Sequence, residues 1–167
     1  MIHFALIAAL LQTAPVPVDC ADADHSAFNF WIGDWDVLAS GTDVVVARSV
    51  IAPTVDGCGI REDYRQSVAP GGESSRYQGA SVSAFDARSR TWRQFYVDSA
   101  GTVTIFEGGV ISDGAMVLIG PGHEPDELQM MTVTPQADGT VRQVGANSID
   151  GGSSWSTGSY DFTYRRR

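Results

Sequence analysis

The stretch "FNFWIGDWDV", residues 28–37, sets Phe28, Phe30, Trp31 and Trp35 close together, with Gly33 and Asp34 between the two tryptophans. Two of the chain's four tryptophans therefore stand at the entry to its first strand-like segment. In a closed antiparallel barrel an indole at that point can plug one end and pack beneath the crossing N-terminal segment. Gly33 permits the tight turn or close backbone approach that such a plug needs. Near the other end of the chain, Arg165 is expected over Trp35 as a cation–π partner, which contributes about 0.5–1 kcal/mol at an exposed site. Gly33, Trp35 and Arg165 thus speak for a fold and not for chemistry.

Beyond Asp34 the sequence is a succession of short β-like runs divided by turn signals. About ten strands are predicted from their alternation and spacing. They are Trp35–Ala39, Val44–Val55, Ile60–Gln66, Tyr77–Phe85, "TWRQFYVD" (91–98), "TVTIFEGG" (102–109), Met116–Ile119, "LQMMTVT" (128–134), "TVRQVGANS" (140–148) and Trp155–Arg165. Turns recur about every ten residues, the rhythm of an up-and-down meander. The best helical stretch is Ala23–Trp31, one or two turns capped by Asp24 or Ser26. The fold class is therefore all-β, an antiparallel up-and-down barrel with a short N-terminal helical turn.

The chain of 167 residues is long enough for one domain with a real core, and 18 glycines supply its turns. A net charge of −9 disfavours nucleic acid and anionic membranes as partners. Residues 4–11 form an apolar run too short to span a bilayer, followed by small residues and prolines. A cleaved export signal over residues 1–20 is expected, with the barrel domain over 21–167 and a periplasmic or secreted location. Against it, no Lys or Arg precedes Phe4. Cys20 and Cys58 can form one disulfide, provided that cleavage leaves Cys20 in place; otherwise they are two unrelated thiols. The oligomeric state, monomer or dimer, is left open.

Side-chain alternation sorts the strands into faces. Ile60, Glu62 and Tyr64 oppose the charged triplet Arg61, Asp63 and Arg65, which belongs in solvent. Trp92, Gln94, Tyr96 and Asp98 share one face, Gln143 points with Val141 and Gly145, and Tyr160, Phe162 and Tyr164 form an aromatic stripe. Several inward faces thus mix aromatics with single polar groups. A solid core avoids that mixture, because each unpartnered buried polar group costs about 1–3 kcal/mol. A cavity tolerates it, and a barrel of this size holds one small ligand. Trp35 is expected to floor that cavity, with Glu62, Tyr64, Gln94, Tyr96, Asp98 and Gln143 lining it.

Gly33-x-Trp35 with a late arginine resembles the lipocalin and fatty-acid-binding-protein superfamily. The fuller "FxFWIGDWDV" is similar to nitrobindin-like barrels and, more closely, to a family of bacterial lipocalin-like domains of uncharacterised function. "GCGIREDY" (57–64), "TWRQFYVDSAG" (91–101), "FEGG" (106–109), "DGAMVL" (113–118) and "DGGSSW" (150–155) look like that family's recurring blocks. The resemblance covers about residues 26–166 and implies a ten-stranded barrel without an established activity. Members often carry an aromatic residue near Gly145, which implies a roomier cavity in this chain. Nitrobindin-like proteins hold haem through a histidine late in the barrel. Here the histidines are His3, His25 and His123, none in a late strand, so no haem and no other cofactor is expected.

For chemistry, Glu62 is the candidate general acid or base, because an apolar barrel would raise its pKa. The structural alternative is a glutamate bonded to Gln94 or a tyrosine, tying strands together. No Gly-x-Ser-x-Gly, Cys-x-x-Cys or His-Glu-x-x-His motif is present. His123, Glu124, Asp126 and Glu127 in "GPGHEPDE" read as a solvated loop and not as a metal site. Three functions follow: an exported barrel binding a small, mostly hydrophobic molecule; a small isomerase, cyclase or hydrolase using Glu62; or an envelope interaction protein with a filled core.

Overall fold

A computed structural model describes residues 19–69 and 71–167. The expected export signal falls, apart from its last two positions, outside the described residues. Ten strands follow one another: β1 (Gly33–Ala39), β2 (Val45–Thr54), β3 (Gly59–Gln66), β4 (Gln78–Asp86), β5 (Thr91–Asp98), β6 (Val103–Ser112), β7 (Ala115–Pro121), β8 (Leu128–Pro135), β9 (Val141–Ser148) and β10 (Ser156–Arg166). Each pairs antiparallel with its sequence neighbours, and β1 pairs with β10, so the sheet closes into a barrel. Closure leaves no unpaired strand edge. Local chemistry supports the meander. The β6–β7 hairpin, for example, turns on Asp113 and Gly114, both at positive φ (50° and 79°), the combination that a two-residue Asp-Gly connection requires.

One end of the barrel is sealed by the segment before β1. A short helix, α1 (Ala23–Ser26), leads into a 3₁₀ turn over Asn29–Trp31. The helix is capped by Asp22, whose side chain accepts from the His25 amide, and not by Asp24 or Ser26. The helix starts at Ala23, so the orphan amides face the residue before it. Phe28 stacks on Trp31 with ring centroids 5.0 Å apart and meets Trp92 edge-on at 5.6 Å. The Trp35 indole donates from Nε1 to the Trp31 carbonyl at 2.9 Å. Phe28, Trp31 and Trp35 are all buried, so the plug is a cluster of three rings and not one indole. Trp92 adds a tether, its Nε1 donating to the Asp24 carbonyl at 3.1 Å.

The cation over Trp35 is Arg166, with its guanidinium carbon 4.4 Å from the ring centroid, and not Arg165. In the β1–β10 ladder Arg166 stands opposite Trp35 and shares its face, whereas Arg165 stands opposite Asp36. A one-residue offset moves a side chain to the other face of a strand. Gly33 makes room for this arrangement: a Cβ there would lie 2.8 Å from both the Arg166 guanidinium and the Trp35 ring. A disulfide between Cys20 and Cys58, with Cα atoms 4.9 Å apart, fastens the plug segment to the turn before β3. In the chain-entropy account a bridge over 38 residues stabilises by roughly 3–4 kcal/mol.

The outer surface carries ion pairs such as Arg142–Asp161 at 2.6 Å and Arg65–Asp63 at 2.9 Å. It also carries an exposed apolar row, Val82, Phe95 and Ile105, in register across β4, β5 and β6. Among the described residues no helix is long and apolar enough to cross a membrane.

Arg166→Ala should lower the unfolding free energy by about 0.5–1 kcal/mol, from the lost cation–π contact. Arg165→Ala should stay within about 0.5 kcal/mol of the parent. Urea denaturation of the two variants separates them; equal effects would contradict the assignment of Arg166.

Candidate functional site

The strands leave a cavity of about 440 Å³ at the end of the barrel away from the plug. Glu62, Tyr64, Gln94, Tyr96, Asp98 and Gln143 all line it, as their predicted faces require. Trp35 does not. It is fully buried one layer below, and Tyr164 from β10 stands between it and the lumen, edge-on to Trp35 at 6.3 Å and to Trp31 at 5.7 Å. The floor is therefore a tyrosine with a polar tip, where an indole was expected.

That tip organises the deep end. The Tyr164 hydroxyl donates to Gln143 Oε1 at 2.9 Å and lies 3.4 Å from Glu62 Oε1. Ser49, on the inward face of β2, donates to the same Glu62 oxygen at 2.6 Å. Gln143 turns its amide to the Met131 sulfur at 2.9 Å. Gln94 is not a partner of Glu62; it donates to Ser83 at 2.9 Å, a bond between β5 and β4. The buried belt thus links β2, β3, β9 and β10 across the floor, and its polar groups are satisfied within the wall.

Burial dominates the ionisation of Glu62. Only 7 % exposed, its carboxyl is pushed up to about 7 by desolvation, against the hydrogen bonds from Ser49, Tyr164 and Ser81 that favour the charged form. Desolvation, followed by the Glu62 charge, also raises the Tyr64, Tyr160 and Tyr164 hydroxyls above their ordinary value. They remain neutral donors at any physiological pH. Glu62 is thus a carboxyl acid poised to change charge near neutrality in a cavity floored by phenols.

The mouth is built from different parts. Tyr77 bonds to the Tyr96 hydroxyl at 2.8 Å and donates to Asp98 Oδ2 at 3.0 Å. Burial works against ionised Asp98, but bonds from the Thr102 amide, Tyr77 and the Ala100 amide hold its carboxyl below the usual range. The Tyr96 ring reaches over β4 because Gly79 lies beneath it; a Cβ there would collide with the phenol. The loop over 122–127 also takes part, since His123 and Glu127 line the cavity. Glu127 Oε2 accepts from the His123 and Glu124 amides at 3.0 and 3.1 Å, and Oε1 accepts from Asn147 at 2.9 Å.

Two expectations change here. The space above Gly145 is not free, because a Cβ there would lie 2.5 Å from the Tyr160 ring, so an aromatic from β10 fills it. The loop read as purely solvated supplies part of the mouth. Among the described residues no group of three or more His, Cys, Asp or Glu side chains could hold a metal ion. Sequence reasoning missed Ser49, although the alternation Ala47, Ser49, Ile51 against Arg48 and Val50 carried the signal. Phe106, Met130 and Met131 were missed because apolar liners look like ordinary core. Comparison with models of known families and with curated proteins returns no match for this chain.

Glu62 should make stability depend on pH. Its folded pKa, about 7, lies above the ordinary 4.5. The folded state therefore holds the proton more tightly than the unfolded chain. The advantage is complete below pH 4.5 and is lost as pH rises to about 7, in total on the order of 3 kcal/mol. Glu62→Gln removes this term. Denaturation of parent and variant at pH 4.5 and pH 8 should show the variant gaining relative stability by roughly that amount at the higher pH. A constant difference would contradict the buried carboxyl.

Proposed function

We propose that this barrel is an exported, lipocalin-like binding protein that holds one small, mostly apolar molecule in its lumen. One observation carries the reading: a cavity of about 440 Å³ whose wall mixes aromatic rings with satisfied polar groups. Sites of this kind are concave, mostly apolar and oriented by a few fixed polar atoms. The Cys20–Cys58 disulfide supports an oxidising compartment and hence export. Kinship with the bacterial lipocalin-like domains rests on the opening motif and the ordered blocks. A filled-core interaction protein, by contrast, does not fit a lumen of this volume.

A second reading is supported by Glu62, a carboxyl pushed to about 7 and facing the cavity beside the Tyr164 hydroxyl. That is the setting for a general acid or base acting on a hydrophobic substrate. Loss of turnover in a folded Glu62→Gln variant, with substrate affinity kept, would favour it over simple binding.

Native mass spectrometry of protein purified from its own source should show an adduct that organic extraction removes. The extracted protein should then gain thermal stability with members of a panel of apolar small molecules, by up to about 3 kcal/mol at ligand concentrations 100-fold above Kd. A clean mass before extraction, with no stabilisation by any compound, would overturn the binding reading.

A further inference from the structure

The lumen wall contains carboxylates but no fixed cation. The chain has no lysine, and all of its 11 arginines are exposed. Glu62 at the floor and Asp98 and Glu127 at the mouth line the cavity, and His123 at the mouth is the one basic side chain among its described lining residues. Between floor and mouth stand the rings of Tyr64, Tyr77, Tyr96, Tyr160 and Phe162. Tyr160 and Phe162 stack with centroids 5.9 Å apart, and Tyr64 meets Tyr77 edge-on at 6.2 Å. Ring faces are negative, so they attract a cation. At the buried Glu62 this potential is poorly screened. A carboxylate ligand would meet like charge there and find no arginine to pair with.

The three acids differ in what they have left to offer. Asp98 accepts on Oδ1 from the Ala100 and Thr102 amides and on Oδ2 from Tyr77. Glu127 accepts on both oxygens from the loop amides and Asn147. Glu62 is held by hydroxyls alone: Ser49 donates to Oε1 at 2.6 Å, Tyr164 lies 3.4 Å from the same oxygen, and Ser81 also bonds the carboxyl. Of the three acids Glu62 is the buried one, and no backbone or side-chain amide holds it.

Resting on the reading that the lumen takes a small apolar ligand, we propose that this ligand is an organic cation, an aromatic or aliphatic body bearing a protonated amine that seats on Glu62. The rings of the wall then surround the body and the carbons next to the ammonium. Around Glu62 stand Ser49 from β2, Asp63 and Tyr64 from β3, Ser81 from β4, Gln143 from β9 and Tyr160 and Tyr164 from β10. Tyr77 and Tyr96 feel the Glu62 charge from across the lumen, and Asp98 stands at the mouth. The tyrosines are shifted upward and stay neutral, and Asp98 is shifted downward and stays charged, so among these shifted groups Glu62 alone changes charge between pH 5 and 8. Ammonium binding at neutral or acid pH therefore displaces the Glu62 proton to solvent.

The test is calorimetric titration of the extracted full chain with two matched series. One is tryptamine, tryptophol and indole-3-acetate; the other is octylamine, octanol and octanoate. At pH 8 each amine should bind at least about tenfold more tightly than its alcohol, as a charge-assisted bond requires, and the carboxylates should bind least. Amine affinity should fall about tenfold for each pH unit below 7, while alcohol affinity stays level. Glu62→Gln, with its fold checked by circular dichroism, should bring the amines down to the alcohols. The pH series on the parent tests the same point if the variant fails to fold. Alcohols or carboxylates binding as well as the amines, or amine affinity independent of pH, would overturn the cation assignment while leaving a ligand-binding lumen. Failure of all six compounds to bind would overturn both.

Discussion

Rolling ten strands into a tube removes every sheet edge but creates two open ends, and the described residues fill one of them. The fill is aromatic. Phe28 and Trp31 enter from the segment before β1, Trp35 from β1 and Trp92 from β5; Phe28 packs on Trp31 and Trp92, and Tyr164 of β10 meets Trp31 and Trp35. The seam where the barrel closes, β1 against β10, is thus the place where the plug sits. Arg166 over Trp35 and the Trp35 bond to Trp31 fasten the seam to the plug, and the disulfide fastens the plug to the turn before β3. With apolar packing concentrated at one end, the other end can be left open to solvent without forfeiting the core.

That division explains the placement of polar groups. Near the plug, inward positions are taken by side chains such as Val37, Ile51, Met116 and Val133, all essentially inaccessible. One layer up, the inward residues become Ser49, Glu62, Gln143 and Gln94, each bonded across strands. This belt gives the lumen a polar floor at little cost, because its bonds are made within the wall and do not wait for a ligand. Burying such groups unpartnered would cost about 1–3 kcal/mol each. Glu62 is the exception that the belt cannot fully satisfy as an anion, and desolvation prevails over its hydroxyl partners Ser49, Tyr164 and Ser81.

Strand order, strand bounds and inward faces were legible because half-buried strands alternate strictly and the turns carry glycine and aspartate. The charged triplet Arg61, Asp63 and Arg65 alone assigned Glu62 to the inside. Relations between strands far apart in sequence were less legible. Whether Arg165 or Arg166 covers Trp35 depends on the β1–β10 register, and no local pattern reports a register across 130 residues. The same holds for the Glu62 partners, since Tyr164 lies 102 positions away. Gly145 misled for a related reason. Absence of a side chain marks a space, but the neighbouring strand decides what fills it, and here the filler is Tyr160.

An empty lumen holding a buried anion would be costly, and an empty lumen holding a neutral acid is not. A carboxyl that titrates near neutrality allows both states in one molecule, with the proton occupying the place of the missing positive charge. On the proposed assignment, ligand entry exchanges one cation for another at Glu62, and the charge of the floor is balanced in either state. The aromatic wall suits this exchange, because tyrosines held neutral by burial and by the Glu62 charge add attraction for a cation without adding titratable charge of their own. The exposure of all 11 arginines is consistent with this assignment. One fixed cation inside would occupy Glu62 permanently, hold it ionised and abolish the exchange.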